Sequence, residues 1–379
     1  MIYLDNAAAS FPKAPGVGAA VAAALESPLG NPGRPTSLPS LGAGRIVFAA
    51  REEVATLLGA PDSSRLVFTK NATEALNLAI MGAVPAGGLL AVSDLEHNSV
   101  TRPARRLEIE RGVRVITFAI DAKGRPDPAS LASAIAARPD LLVVTAASNV
   151  TGAITPFEEI AESCRKTGVR ILVDGSQAVG HIPIHLGGMA PSAFCFPGHK
   201  GLLGPEGSGG LWLGEGFDPE ALLWGGTGSD SASAAQPRAL PDRYEAGTQN
   251  APALAGLEVA VRFLARCDVF NVERREADLR DRLARGLEGL PGLRLFGPAA
   301  GERCVPVLSF TVEGMSPGEV AAELGRRGIA ARPGLHCAPS AHRVLGTLES
   351  GGTLRLSPGF LTSDQDIDAI LAAMREMLT

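Results

Sequence analysis

From about residue 65 to residue 213, short apolar runs rich in β-formers alternate with helical patterns, and that alternation leaves few folds open. LVF (66–68) leads into a helical pattern from Ala72 to about Ala83, and LLAVS (89–93) into RPARRLEIER (102–111). VRVITFAI (113–120) precedes DPASLASAIAAR (127–138), and LLVVTAAS (141–148) precedes TPFEEIAESCRKTG (155–168). RILVD (170–174), SAFCF (192–196) and GGLWL (209–213) follow. Apolar strands joined by helices predict an α/β fold with a mainly parallel seven-stranded sheet flanked by helices on both faces. The last three runs lie too close together for full helical crossovers, which predicts an irregular edge there.

Residues 214–250 read as a long loop rich in Gly, Ser, Ala and Pro, a kind of segment that is usually functional or buried at an interface. A helical stretch over about 252–290 bridges to a second alternation: VPVLSFTV, PGEVAAELGRRG, TLRLS and DQDIDAILAAMREML. The expected organisation is a large domain over 15–255 and a smaller C-terminal α/β domain over 256–379 joined by 1–14. The chain has 379 residues and a net charge of −5, with no Lys/Arg run, two Trp and two Tyr. A nucleic-acid surface needs a basic stripe and stacking aromatics, so none is expected. MIYLDNAAAS lacks the layout of a signal peptide, and no apolar run reaches membrane-spanning length. Five scattered cysteines without CxxC spacing point to free thiols in a reducing, cytoplasmic setting.

Three signals concern chemistry. In FTKNATEALNL a strand runs into Asn71, Ala72 and Thr73 at a helix start, where free N–H groups and the helix dipole favour an anion; alone, a plain N-cap is the default reading. Asp174 ends the strand RILVD, where open α/β sheets bind ligands and a carboxylate needs a cation or donors; a turn cap accounts for it equally well. Lys200, in FPGHKGLLG, sits among Phe196, Leu202, Leu203 and glycines, a setting that lowers an amine's pKa and suits it to a Schiff base. An anion cradle, a carboxylate and a buried amine together match pyridoxal 5'-phosphate.

Other residues carry weaker signals. His97, after LLAVS, can stack on a planar ring and move protons, or be structural. Cys337, in GLHCAPSAH beside His336, has the setting of an accessible, mobile thiol with a nearby base, or is a bystander. Arg355, in TLRLS, can clamp a carboxylate, although a surface arginine is the default. His181 and His185, in HIPIH, have no third ligand close by, so no metal is expected.

NATEALNLA, EHNSV, SNVTGAITP, VDGSQAVGHIPI, GHKGLLGPEG, EAGTQN and RPGLHCAP together resemble the cysteine desulfurases of the class V aminotransferase family, with the type I pyridoxal-phosphate fold. The resemblance runs from YLDNAA (3–8) to the C-terminal helix. It implies that Lys200 carries the cofactor, Asp174 pairs with the pyridine nitrogen, Gln177 and Asn149 contact the ring's 3-oxygen and His97 stacks on the ring. Ala72, Thr73 and His199 would hold the phosphate. Thr248 would reach the cofactor of the neighbouring subunit, implying a homodimer. Arg355, beside Asn149, would bind the substrate carboxylate, and Cys337 would become a persulfide.

The implied reaction converts L-cysteine, or alternatively L-selenocysteine, to alanine and passes sulfur to an acceptor protein. Two departures stand out. Pro197 replaces the family's usual Ser or Thr, removing a hydrogen bond to a charged group worth about 1.5–3 kcal/mol. In GNPGRPTSLPS (30–40), Ser37 and Leu38 stand where the family's active-site loop often carries His and Arg. A selenocysteine lyase, an aminotransferase or epimerase that makes no use of Cys337, and a non-catalytic scaffold remain the alternatives.

Overall fold

The computed structural model describes residues 1–33, 37–189, 192–229 and 232–378. A two-residue strand β1 (Ile2–Tyr3) is followed by helices α1 (Val17–Glu26) and α2 (Leu38–Leu57), ahead of the strand–helix alternation. Then come β2 (Leu66–Thr69), α3 (Ala72–Ala83), β3 (Leu89–Ser93), α4 (Asn98–Arg111), β4 (Arg114–Phe118) and α5 (Pro128–Ala136). The run continues through β5 (Leu141–Thr145), α6 (Phe157–Thr167), β6 (Ile171–Asp174), β7 (Ser192–Pro197) and β8 (Gly209–Leu213). Helix α4 begins four residues before the expected RPARRLEIER stretch, because the His97 side chain caps it and Pro103 is tolerated near its start.

Strands β2 to β8 form one seven-stranded sheet in the order β2-β8-β7-β6-β5-β3-β4. All run parallel except β8, which is antiparallel to both β2 and β7. The irregular strand therefore lies one place in from the edge and not at it. The 198–208 connection is too short for a crossover and returns β8 antiparallel, whereas the chain reaches a parallel β7 from β6 with no helix among the described residues between them.

Alternation along the strands divides the core between two faces. Val144 and Val173 pack with Phe118, Phe194 and helices α1 and α2, while Val143 and Leu172 pack with Leu76, Ile80 and Leu107 of α3 and α4. Successive residues point to opposite faces, so a strand covered on both sides runs apolar without alternation, as Leu141–Val144 of β5 do before Thr145 at the cavity end.

The expected single helical stretch over 252–290 is two helices, α7 (Ala251–Cys267) and α8 (Val269–Leu287). They break at Asp268, which has φ 65° and whose carboxylate caps α8 by accepting the Phe270 N–H. The expected boundary at 255/256 falls inside α7, whose Leu254, Leu257, Val261 and Leu264 all belong to the large core. We place the passage between the two units at Asp268.

Beyond it lie β9 (Leu293–Phe296), β10 (Leu308–Val312), α9 (Pro317–Arg326), β11 (Ile329–Ala330), β12 (Arg332–Gly334), α10 (Pro339–Val344), β13 (Thr353–Leu356) and α11 (Asp364–Leu378). An antiparallel sheet in the order β12-β13-β10-β9 packs on α8, α9 and α11. Strand β1 pairs with β11, which ties the N-terminal segment to this smaller unit.

The long 214–250 loop, of which residues 230 and 231 lie outside the described residues, is anchored by a buried ion pair. Both Arg51 terminal nitrogens donate to the Glu245 carboxylate, at 2.7 and 2.9 Å, and the same carboxylate accepts the Phe68 N–H at 2.6 Å. Arg51 also donates to the Leu66 carbonyl and lies over the Phe68 ring. Removing one partner of such a pair leaves a buried charge uncompensated. Arg51→Ala should therefore cost about 3–5 kcal/mol of stability, seen as a lower urea midpoint at unchanged slope. A loss below about 1 kcal/mol would mean that water reaches Glu245.

Candidate active site

Because β3, β5, β6 and β7 are parallel, their carboxyl ends open on one side of the sheet, and there they line a cavity of about 220 Å³. Ala72, Thr73, His97, Asn149, Asp174, Gln177, Pro197, His199, Lys200 and Arg355 all line it, and Ala7, Ala8, Ser99, Thr145, Arg332 and His336 are among the other wall residues. Asp174 is the last residue of β6 and is 3% exposed, and its Oδ1 accepts the Ser176 N–H at 2.9 Å.

Lys200 follows β7 on a loop pressed onto the 178–181 turn. A Cβ at Gly201 would lie 2.3 Å from the Val179 carbonyl, so only glycine lets the two segments close. The Lys200 side chain is half-buried, and desolvation pushes its amine down to about 8 against the opposing pull of Asp174. Lys70 and Lys166, by contrast, are exposed and lie within 4 Å of Glu74 and Glu162 respectively.

The first turn of α3 supplies unpaired donors. Asn71 Oδ1 accepts the Glu74 N–H at 3.0 Å, leaving those of Ala72 and Thr73 at the cavity wall with the positive end of the helix dipole. His199 adds to them. Burial pushes its imidazole down to about 4, so it is neutral, and its Nδ1 is buried without a partner. A neutral ring with an unmatched nitrogen facing an anion site can donate its one N–H there.

His97 is fixed from one side. Its Nδ1 accepts the Ser99 N–H at 3.0 Å and lies 2.8 Å from the Ser99 hydroxyl, which in turn is 2.9 Å from the Thr73 hydroxyl. Burial lowers the pKa of His97, with Asp174 opposing and Lys200 reinforcing. The resulting neutral ring carries its proton on Nε2. Ser99, which orients it, was missed; its place two residues after His97, in the first turn of the helix that His97 caps, is the signal that could have found it.

Two expected amide roles are narrowed. Gln177 spends its Nε2 on the Ala7 carbonyl at 2.8 Å and leaves Oε1 buried and unmatched. Asn149 spends its Nδ2 on the His336 carbonyl at 2.6 Å. Gln177 thus lines the cavity with its donor spent and only an acceptor unmatched.

Arg355 is 1% exposed and already engaged, donating to Asp5 Oδ1 at 2.8 Å and to the Asn149 carbonyl at 3.0 Å. Asp5, in YLDNAA, was missed as its partner. Arg332 was missed altogether. It faces Arg355 across β12 and β13, lines the same cavity and forms no ion pair among the described residues.

Cys337 is half-buried in an adjoining cleft of about 410 Å³ that shares Thr73, His97 and Ser99 with the cavity wall. The expectation of a free loop with His336 as base is not met. His336 and Cys337 both adopt left-handed backbone, at φ 48° and 58°, and the Cys337 carbonyl accepts the Asn98 N–H at 2.7 Å. His336 is turned inward, with Nε2 3.0 Å from the Thr353 hydroxyl, and burial drives its pKa to about 2. A ring so weakly basic takes no proton from a thiol near neutral pH.

Thr248 is exposed in a separate surface cleft with Lys70 and Glu74, outside the cavity of its own chain. Ser37 caps α2, accepting the Ser40 N–H at 3.4 Å, and Leu38 is 83% exposed; neither lines the cavity, and residues 34–36 of that expected loop lie outside the described residues. His181 is buried against Glu276, with Nδ1 2.7 Å from Oε2, and α8 is thereby tied to the turn beneath Lys200.

The model of the aminotransferase class-V family matches residues 2–370, and the chain belongs to that family. It is 31% identical to a probable cysteine desulfurase of Methanothermobacter thermautotrophicus over 382 residues, covering 99% of this chain and 94% of that one. A probable cysteine desulfurase of Mycolicibacterium paratuberculosis is 34% identical over 86% of this chain, which spans about half (48%) of that protein's length. Among solved structures, the apo cysteine desulfurase of Thermococcus onnurineus NA1 superposes with a TM-score of 0.93 at 30% identity, over 100% of this chain and 94% of that one. The Escherichia coli cysteine desulfurase CsdA gives 0.88 at 29% identity, over 100% and 95%. Family membership implies pyridoxal phosphate. The unmatched His199 Nδ1 and Gln177 Oε1, the α3 N-terminus, the Asp174 carboxylate and the free Lys200 amine fit that group.

The lowered amine has a direct readout. A neutral amine is the nucleophile toward acylating reagents, so modification of Lys200 in the ligand-free protein should level off above about pH 8, with Lys70 and Lys166 as internal references in peptide maps. A profile for Lys200 still climbing at about pH 10 would mean that the amine is not desolvated.

Proposed function

We propose that the protein is a pyridoxal-phosphate-dependent cysteine desulfurase that converts L-cysteine to L-alanine and takes the sulfur onto Cys337. The observation that carries this reading is the adjoining pair of spaces: the cavity holding Lys200 and Asp174, and the cleft holding Cys337, share the wall built by Thr73, His97 and Ser99. The relatives named as cysteine desulfurases support it.

When bound, pyridoxal phosphate supplies an electron sink for the substrate's α-carbon. The N–H groups of Ala72 and Thr73 and the His199 ring would hold its phosphate, and His97 would cover its ring. The Asp174 carboxylate would keep a proton at the pyridine nitrogen. Asn149 and Gln177 would flank the 3-oxygen. The Lys200 amine, with its pKa lowered to about 8, is a base that can take the α-proton at Nζ.

Arg332, with its guanidinium uncommitted, and Arg355, held by Asp5, would bind the substrate carboxylate. The Cys337 thiolate would attack the substrate Sγ. The Cβ–Sγ bond breaks with its electron pair going to carbon, a new S–S bond forms, and protonation of carbon yields alanine and a Cys337 persulfide. The persulfide would then pass to a sulfur-acceptor protein in the cytoplasm. Thr248, exposed and outside its own cavity, would reach the other subunit's cofactor in a homodimer.

Cys337→Ala should still bind cofactor and L-cysteine, with Lys200 and Asp174 untouched, yet release almost no sulfur. Mass spectrometry of the wild-type protein after a single turnover should find one added sulfur atom on the Cys337 peptide. A mutant as active as wild type, with no such adduct, moves the reading to an aminotransferase or epimerase. Lys200→Ala should abolish all turnover.

Pro197 lines the cavity and offers neither hydroxyl nor N–H. Pro197→Ser should tighten cofactor binding by up to about tenfold, measured as a dissociation constant by absorbance titration. An unchanged constant would mean that His199 and the α3 turn already satisfy the phosphate.

A further inference from the structure

Glu96 precedes His97 and has no part in the chemistry above. It is 0% exposed, and its two carboxyl oxygens are treated unequally. Oε1 accepts the Ser93 hydroxyl at 2.6 Å and the Thr145 N–H at 2.9 Å, whereas Oε2 is buried with no partner. Ser93 is the last residue of β3 and Thr145 the last of β5, and Thr145 stands beside Asp174 in the sheet register. Glu96 thus bridges two strand ends directly behind the cavity, with His97 next in the chain and Asp174 one strand over.

The groups acting on it are few. From β3 comes the Ser93 hydroxyl, from β5 the Thr145 N–H and from β6 the Asp174 carboxylate, a like charge. Glu96 forms no ion pair among the described residues. A carboxylate in this place would be desolvated, repelled by Asp174 and left with one oxygen bare, which is the costliest way to bury the group. A carboxylic acid keeps both hydrogen bonds at Oε1 and removes the charge.

We propose that Glu96 is a positioning residue held as a neutral carboxylic acid, clamping the ends of β3 and β5 behind His97 and keeping a second negative charge away from Asp174. Burial accordingly raises its pKa to about 8 from the usual 4.5. The clamp and the protonation state stand without any cofactor. Their consequence for catalysis rests on the reading above, since a second anion there would strengthen the hold on a proton at the pyridine nitrogen.

The sign of the pH dependence follows. A carboxyl whose folded pKa is raised adds stability that is full at low pH and is lost as pH climbs from about 4.5 through about 8. Glu96→Gln mimics the neutral acid and removes that dependence. In cofactor-free protein, the infrared difference between wild type and Glu96→Gln at neutral pH should show the carbonyl stretch of a protonated carboxylic acid, fading above about pH 8. The melting-temperature advantage of Glu96→Gln over wild type should grow as pH rises from about 4.5 to about 8 and level off above that.

In the loaded protein Glu96→Gln should hold cofactor within about threefold of wild type, and Glu96→Ala, without the bridge, about tenfold or more weakly. The absorbance–pH curve of bound cofactor should flatten in Glu96→Gln. An absent carboxylic-acid band, parallel melting curves, or Glu96→Ala binding cofactor as wild type does would each overturn the proposal. The infrared and melting measurements use no cofactor or substrate, so a wrong assignment of the reaction would leave them untouched.

Discussion

An amine and a carboxylate line one cavity from the ends of two neighbouring parallel strands, and much of the rest of the structure serves to keep them there. Asp174 closes β6 and Lys200 follows β7, and neither reaches bulk water freely. Parallel strands bring both to the same side of the sheet, and helices on both faces exclude solvent from the strands beneath. Desolvation and the attraction of Asp174 act oppositely on Lys200. Desolvation wins, because the amine ends near 8 and not above its usual value. A surface lysine with a carboxylate partner shows no such contest.

The charges around this pair make the cavity an anion receptor. Asp5 compensates Arg355, but Arg332 stands opposite Arg355 with no counterion among the described residues. Two guanidinium groups side by side repel unless an anion joins them. At the far wall, the α3 dipole and the neutral His199 await acceptors. Two separate anionic ends are thus provided for, with the amine between them. A phosphate and an amino-acid carboxylate are the two anions that the proposed reaction would bring.

What could be read from sequence was local. The strand–helix alternation, Asp174 at a strand end and Lys200 in its glycine-lined loop each lie within a few residues of the feature that marks them. What escaped needed partners far along the chain. The Arg51–Glu245 pair spans just over half the sequence, and nothing beside either residue announces it. Strand β8 inserts between β2 and β7, a pairing that no periodicity encodes. His336 looked like a base for Cys337 because it is adjacent, yet its ring turns to Thr353 on β13. Helix α1 is so rich in alanine that no apolar stripe stood out. Thr248 is a different case, since it lies in a surface cleft with Lys70 and Glu74, apart from the cavity of its own chain.

The Cys337 loop shows how the two sheets bear on one thiol. The His336 carbonyl is held by Asn149, beyond the end of β5, and the Cys337 carbonyl by the N–H of Asn98, at the start of α4. Through His336 the loop is also tied to β13 of the smaller sheet. Against these ties stands the cost of two consecutive left-handed residues, about 1–2 kcal/mol each. Each hydrogen bond returns about 0.5–1.5 kcal/mol. The opposing terms are of similar size, so the thiol is positioned without being locked. In the proposed reaction that balance would suit a group that takes sulfur from a substrate at the shared wall and then surrenders it to a second molecule outside.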